Sequence, residues 1–338
     1  MQVKIKHHAR KHRLLYTISA VLLIFIIAAL AGNYRAILST RKSFYTAALE
    51  RQSLSELSLY HESSSTLVHQ YFKEAIDTVN NLATNTAIQQ QLTGNQQATL
   101  AASLEQQRTI SGQFDSLTML SAKGAVAAFS SNKGTLPVGA DGSQSPGYIA
   151  AKAASGAVLV DAHLGPLNRI VLTVASPVKD KKNTFLGVAI GALTIDTLAD
   201  NIQLSSQYNT NLTSLLTDSQ GNALVWQNHS AQALLNLKDK EPSLGALMHQ
   251  QTVPANEEYN FERKNSLAQG STIDFGTAGK LYVVSFYDVN GYKTYLNDAI
   301  QNINATFSGF ILRNSLLFIG AVVVIGLVIR AYDETRDA

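Results

Sequence analysis

The sequence predicts an α+β protein in which two tandem antiparallel-sheet modules follow a long N-terminal stalk helix, with an apolar span at either end. Three observations predict it. A short pattern of apolar run, glycine turn and apolar run occurs twice. A long helical stripe precedes its first copy. Long apolar blocks lie near both termini. The two copies read LTMLSAKGAVAAFSS at residues 117–131 and LLTDSQGNALVWQN at residues 215–228. With Gly124 laid on Gly221, Leu120 falls on Thr217, Phe129 on Trp226 and Ser131 on Asn228.

The chain has 338 residues, of which 46% are hydrophobic and only 15% charged, a low charged share for a soluble protein. Two blocks account for much of the skew, LLYTISAVLLIFIIAALAG at 14–32 and NSLLFIGAVVVIGLVI at 314–329. Each approaches the roughly 20 apolar residues that cross a hydrocarbon core. Residues 1–13 carry Lys4, Lys6, Arg10, Lys11 and Arg13 and no acid, which holds that end in the cytoplasm. Residues 33–313 are then expected outside, with the tail from Arg330 returning inside. The small residues ALAG at 29–32 resemble a signal-peptidase site, but the apolar block exceeds the ~7–15 residues of a secretory h-region. An uncleaved anchor is expected.

Residues 33–313 hold 20 basic and 21 acidic side chains, so no nucleic-acid partner is expected. There is no cysteine, which excludes disulfides, cysteine-zinc sites and thiol catalysis.

From residue 34 to about 92 there is neither Pro nor Gly, and apolar residues recur with helical spacing at Leu67, Val68, Tyr71, Phe72, Ala75, Ile76, Val79, Leu82 and Ala83. This predicts a stalk helix, slackening at HESSST, 61–66, and stopping at LTGN, 92–95. A second helix follows over 96–111. Short strands then alternate with turns: the hairpin about Lys123-Gly124, a Gly/Ser/Pro-rich loop at 132–147 and a short helix from Tyr148. Three strands, AVLVDA, NRIVLTVASPV and TFLGVAIGALTI, and a helix from Asp196 complete the first module. The second opens near Asn209, with helical stretches around 231–237 and 244–251, then STIDFG, KLYVVSFYDV and YKTYL. A last helix from about Asn297 enters the second span.

No catalytic signature emerges. The outside histidines, His61, His69, His163, His229 and His249, show no HExxH-type spacing. His61 and His69 on the stalk read as solvated surface. Neither a GxSxG elbow nor a P-loop occurs. The two glycines of GVAIGALTI suit close packing within a strand. No enzyme activity, cofactor or metal is expected.

The order of LSAKGAVAAFSSN, VLTVASPVKDKKNTFLGVAIGALTIDTL and SLLTDSQGNALVWQN between two spans resembles the double Cache family of extracytoplasmic sensors in bacterial transmembrane receptors. The resemblance covers about residues 34–312. It implies PAS-like sheets with helices on one side and a ligand pocket in the membrane-distal module. A common form of that pocket has the pattern R-x-W-Y-x-x-A. Here SPGYIAA puts Tyr148 and Ala151 at the matching aromatic and small positions, while Ser145 and Gly147 stand where Arg and Trp would be. The missing Arg argues against the amino-acid-binding form. Asp161 matches the acid that often follows the next strand. Phe129, Ser131, Arg169, Thr173 and Ser176 are further candidates; strand alternation puts Arg169, Val171, Thr173 and Ala175 on one face and apolar Ile170, Leu172 and Val174 on the other.

The expected layout is a cytoplasmic terminus (1–13), first span (14–32), stalk helices (33–111), membrane-distal module (112–207), membrane-proximal module (208–298), exit helix (299–313), second span (314–330) and cytoplasmic tail (331–338). The expected function is a bacterial membrane sensor that binds a small molecule and signals to a cytoplasmic partner or output domain. The tail YDETRDA resembles a linker into a diguanylate cyclase, which points to cyclic-di-GMP signalling. The rival class is a membrane-tethered scaffold with a vestigial Cache fold. The stalk's apolar stripe exceeds what one small module covers, which implies a homodimer.

Overall fold

A computed structural model describes residues 2–165, 169–206, 211–226, 229–230, 235–237, 252–253, 258–261 and 264–336. It forms two compact units, residues 53–290 and residues 1–52 with 291–338.

The N-terminal helix α1 (Gln2–Thr84) is followed by α2 (Thr86–Thr93) and α3 (Gln97–Ser111). In the unit of residues 53–290, Val68, Phe72, Ala75 and Val79 of α1 are wholly buried, the inward face of a 3.6-residue period. The expected slackening at 61–66 is absent and α1 runs through it. Its serines carry contacts rather than breaks: Ser64 is buried and Ser65 bonds His61. The helix also ends sooner than the sequence suggests. Asn85 interrupts it, its Oδ1 accepting from the backbone N–H groups of Ala87 (2.8 Å) and Ile88 (3.3 Å) to start α2.

The first sheet contains β1 (Phe114–Ser121), β2 (Val126–Ser131), β3 (Val158–Leu164), β4 (Ile170–Lys179) and β5 (Phe185–Leu193), with α4 (Pro146–Ala153) between β2 and β3. Helix α5 (Ile195–Ser206) leads to the second sheet. That sheet contains β6 (Leu212–Thr217), β7 (Ala223–Trp226), β8 (His229–Ser230), β9 (Thr252–Val253), β10 (Glu258–Phe261), β11 (Lys264–Asp274) and β12 (Lys280–Asp288). Every pairing is antiparallel.

The strand orders match. The first sheet runs β2-β1-β5-β4-β3 and the second β10-β11-β12-β6-β7-β8, so β7-β6-β12-β11-β10 repeats it. The hairpins agree residue by residue. Gly124 and Gly221 sit at φ 83° and 89°, where a side chain is strained. The register slips at Met119/Leu120 in one hairpin and at Leu216/Thr217 in the other. Beyond each glycine the chain returns to it: Gly142 N–H donates to Gly124 O (2.8 Å) and Leu237 N–H to Gly221 O (3.0 Å).

Close packing explains the glycines of β5. A Cβ on Gly191 would lie 2.5 Å from the Phe114 ring and 3.0 Å from Val79, so α1 rests directly on the strand. Trp226 packs at the edge of the second core cluster, around Leu215, Ala268 and Phe286. The helices expected around 231–237 and 244–251 lie almost wholly outside the described residues.

Helix α6 (Val289–Arg336) begins at Val289 rather than near Asn297. Among the described residues one segment, Asn297–Val324, has the length and apolar composition to cross a membrane. The side chains of residues 1–20 are not described. One expectation is overturned outright: His61 is 5% exposed, because β11 and β12 close over the face of α1 that carries it.

Candidate ligand-binding face of the first sheet

Strand pairing lines up residues that share a face. Ser131 opposes Ser116, Ser116 opposes Ala192, Ala192 opposes Thr173, and Thr173 opposes Val160. The next row on this face is Phe129, Thr118, Ile190, Ala175 and Val158. Helix α4 covers one end of this face. Pro146 begins it, and Ser145 caps it by accepting from Tyr148 N–H (3.4 Å). Gly147 lets it approach, since a Cβ there would meet Ile190 at 3.1 Å.

The structure therefore brings Phe129, Ser131 and Thr173 onto one face with Tyr148 against it. Tyr148 is 4% exposed and its hydroxyl donates to Ala122 O at 2.7 Å. Its ring packs edge-on to Phe185, within a core cluster that includes Leu120, Ala175 and Val188. Thr173 is as buried, yet its Oγ1 has no hydrogen-bond partner. Ser131 Oγ accepts from Lys133 N–H (3.0 Å).

Asp161 and Arg169 are engaged elsewhere. Asp161 Oδ1 accepts from Ser219 Oγ (2.8 Å), in the hairpin of the second sheet. Beside it, Ala162 N–H donates to Asp218 Oδ2 (2.8 Å). Asp218 is wholly buried and also accepts from the backbone of Gln220 and Asn222 and the Asn222 amide. Arg169 pairs with Asp115 (3.2 Å) and, more loosely, with Asp196 (3.7 Å). Among the described residues no group of three or more His, Asp or Glu is placed to hold a metal. The two rows offer hydroxyls and apolar surface, which suit the binding of a small molecule.

The equivalent row of the second sheet is Thr213, Phe286 and Ala268. Phe286 is 1% exposed and fills its face. Ala192 takes that place in the first sheet, beside the unpartnered Thr173 hydroxyl. Ser116 and Ala192 are absent from the sequence prediction. The signal for Ala192 is the alignment of TFLGVAIGALTI with KLYVVSFYDV, which sets alanine against phenylalanine.

A family model for the Cache domain matches residues 43–302. The chain belongs to the Cache domain family. A relative, the methyl-accepting chemotaxis protein McpA of Pseudomonas putida, is 36% identical over 108 residues, 32% of this chain and 16% of the relative. The chain thus spans only a small part of that protein. Among solved structures, the ligand-binding domain of the Pseudomonas fluorescens chemoreceptor CtaA with L-leucine is similar at TM-score 0.54 and 18% identity, covering 72% of this chain and 98% of that one. The ligand-binding domain of the Pseudomonas aeruginosa amino acid chemoreceptor PctB with L-Arg follows at TM-score 0.52 and 21% identity, covering 70% and 95%. At these identities the Cache likeness to both is one of fold.

Proposed function

We propose that this Cache protein is a membrane-anchored extracytoplasmic sensor that binds a small molecule at the Ser116–Ala192–Thr173 row. The observation that carries the site is the Thr173 hydroxyl, buried without a partner beside an alanine where the second sheet has Phe286. A buried hydroxyl left unpaired costs about 1–3 kcal/mol, which a hydrogen-bonding ligand recovers. Amino acids, bound by the CtaA and PctB domains, are the first compounds to try. Ser145 in place of a carboxylate-binding arginine favours ligands that need no such partner. The reading keeps Tyr148, Phe129 and Ser131 as walls and gives Asp161 and Arg169 supporting roles.

The proposal extends to topology and output. Residues 14–32 and 314–330 would be the spans, with both termini cytoplasmic. Exposed Ile24, Phe25, Leu30, Leu316, Leu317 and Leu327 suit lipid contact. The module of residues 112–207 would lie far from the membrane and that of 208–298 near it. A homodimer along 36–92 would pass the signal to a cytoplasmic partner or output domain, cyclic-di-GMP synthesis included, and the chain itself would be non-catalytic.

A thermal-shift screen of the full chain in nanodiscs against amino acids and other metabolites tests the site, since a bound ligand raises Tm by mass action. The expected result is a stabilising compound whose effect is lost in Ala192→Phe, which gives the first sheet the phenylalanine that fills the second. A stabilising compound indifferent to Ala192→Phe sinks this site.

One observation favours the scaffold reading. Leu136, Ala140 and Phe129 pack against the core cluster that contains Tyr148, so that end of the face is filled. A screen in which no compound shifts Tm supports the scaffold.

A further inference from the structure

The opposite face of the second sheet carries a polar seam that the fold does not require. Leu117, Gly191 and Val174 form one row on the α1-facing side of the first sheet. The equivalent row of the second sheet is Ser214, Ser285 and Gln269. His61 of α1 meets this seam, Nδ1 at 3.2 Å from Ser285 Oγ and Nε2 at 3.0 Å from Ser271 Oγ. Ser65 lies within 3.4 Å of His61 Nε2 and 3.3 Å of Ser271 Oγ. Ser214 extends the chain of hydroxyls to Ser64.

The seam opens into a groove of about 550 Å³ between α1 and β11, whose lining includes His61, Glu62, Ser65, His69, Gln269 and Asp274. That volume suits a small ligand. Gln269 Oε1 is buried there without a partner. Glu62 is exposed and has no partner among the described residues. Asp274 pairs with Lys280 at 2.9 Å and accepts from Gly276 N–H at 2.8 Å, so Glu62 is the carboxylate left to a ligand. No lysine or arginine is among the described residues of the lining. His69, at one end of the lining, is held by stacking on Phe275, ring centroids 5.5 Å apart. An unsatisfied carbonyl and free carboxylate ask for donors and positive charge.

We infer that the groove between α1 and β11 is a second ligand site, for a small molecule carrying a protonated amine. The ammonium lies between Gln269 Oε1 and the Glu62 carboxylate, and further donors reach the Ser65 and Ser271 hydroxyls. Burial holds His61 neutral, so the imidazole does not repel the cation. This site is separate from the Ser116–Ala192–Thr173 row and stands or falls without it.

The test is calorimetric titration of the full chain in nanodiscs with ethanolamine and 1,4-diaminobutane, with succinate as the anionic counterpart. At least one amine binds saturably, and Glu62→Gln and Gln269→Leu each weaken it tenfold or more. Glu62 is exposed, so the first variant leaves the fold intact. Ala192→Phe leaves amine binding unchanged. The inference is overturned if neither amine binds at millimolar concentration, if succinate binds in their place, if both groove variants bind the amine with full affinity, or if Ala192→Phe abolishes binding.

Discussion

The two sheets share a strand order and a hairpin, yet α1 rests on them through different chemistry. On the first, Gly191 brings the helix into contact with the strand itself, amid apolar side chains. On the second, the matched position is Ser285, and the helix answers with His61. At these matched positions one helix packs tightly on the first sheet and through hydrogen bonds on the second, although Tyr71 also donates to Gln113 O and Thr194 O of the first module. Packed apolar contacts are insensitive to pH, whereas a polar seam is strong only while every member is satisfied.

The largest expected effect separates the two interfaces by pH. Burial lowers the His61 pKa from 6.5 to about 4. Above pH 6.5 neither the folded nor the unfolded chain protonates it. Between pH 6.5 and 4 the unfolded chain binds a proton that the folded chain refuses, so stability falls as pH falls through this window and levels off below it. The loss is about 3 kcal/mol. Glu62, His69, Asp274 and Lys280, the other charged or titratable groups at the groove, are exposed and water-screened. Chemical denaturation at pH 7 and pH 4 should show the loss in the wild type and little of it in His61→Leu. An equal loss in both would place the acid sensitivity elsewhere.

Gly191→Ala comes next. Its Cβ would meet the Phe114 ring at 2.5 Å, and prising helix from sheet costs about 2–3 kcal/mol. At the matched position, Ser285→Ala adds no bulk but leaves His61 Nδ1 short of a partner, at about 1–2 kcal/mol. Denaturation midpoints at neutral pH check the order. If Ser285→Ala proves the costlier, the tight and polar interfaces have been misassigned.

The repeat was legible because turn chemistry is local. A glycine at positive φ between two apolar runs announces the hairpin, and two such glycines at matched places announce the duplication. Strand alternation alone set Thr173 apart from Ile170, Leu172 and Val174, whereas the face that Thr173 shares with Phe129 and Ser131 follows from the cross-strand register. The fate of Arg169 was not legible either, because its partners Asp115 and Asp196 come from outside its strand. His61 was misread for a related reason. A histidine on a long helix looks solvated until the strands that cover it are known, and Ser271 and Ser285 stand more than 200 residues away. The break at Asn85 was hidden because neighbouring residues keep the helical stripe while its side chain caps a new helix. Asp161 illustrates a different limit: it lies within β3 rather than just after a strand, and its contact with Ser219, 58 residues away, has no local sequence signal.

The smallest effect concerns a pair that the two interfaces share. Ser176 opposes Ala189, and Ser271 opposes Val283 at the equivalent place in the second sheet. Both serines face α1. Ser176 Oγ donates to Asn80 Oδ1 at 3.3 Å, and Ser271 Oγ meets His61 Nε2 at 3.0 Å. The first is a single long bond amid apolar contacts, and an alanine there keeps most of the packing. Ser176→Ala should therefore cost about 0.5–1 kcal/mol at any pH between 4 and 7, a typical net value for one neutral hydrogen bond. Ser271→Ala removes a partner from a buried imidazole, so its cost should exceed that of Ser176→Ala at pH 7. The difference should hold while the folded chain keeps His61 neutral and change only near pH 4, where His61 begins to protonate and both ring nitrogens become donors. Denaturation of both variants at the two pH values measures this directly. A Ser176→Ala cost that follows pH as Ser271→Ala does would mean that the first interface also depends on a titrating group, and the contrast between the two sheets would fail.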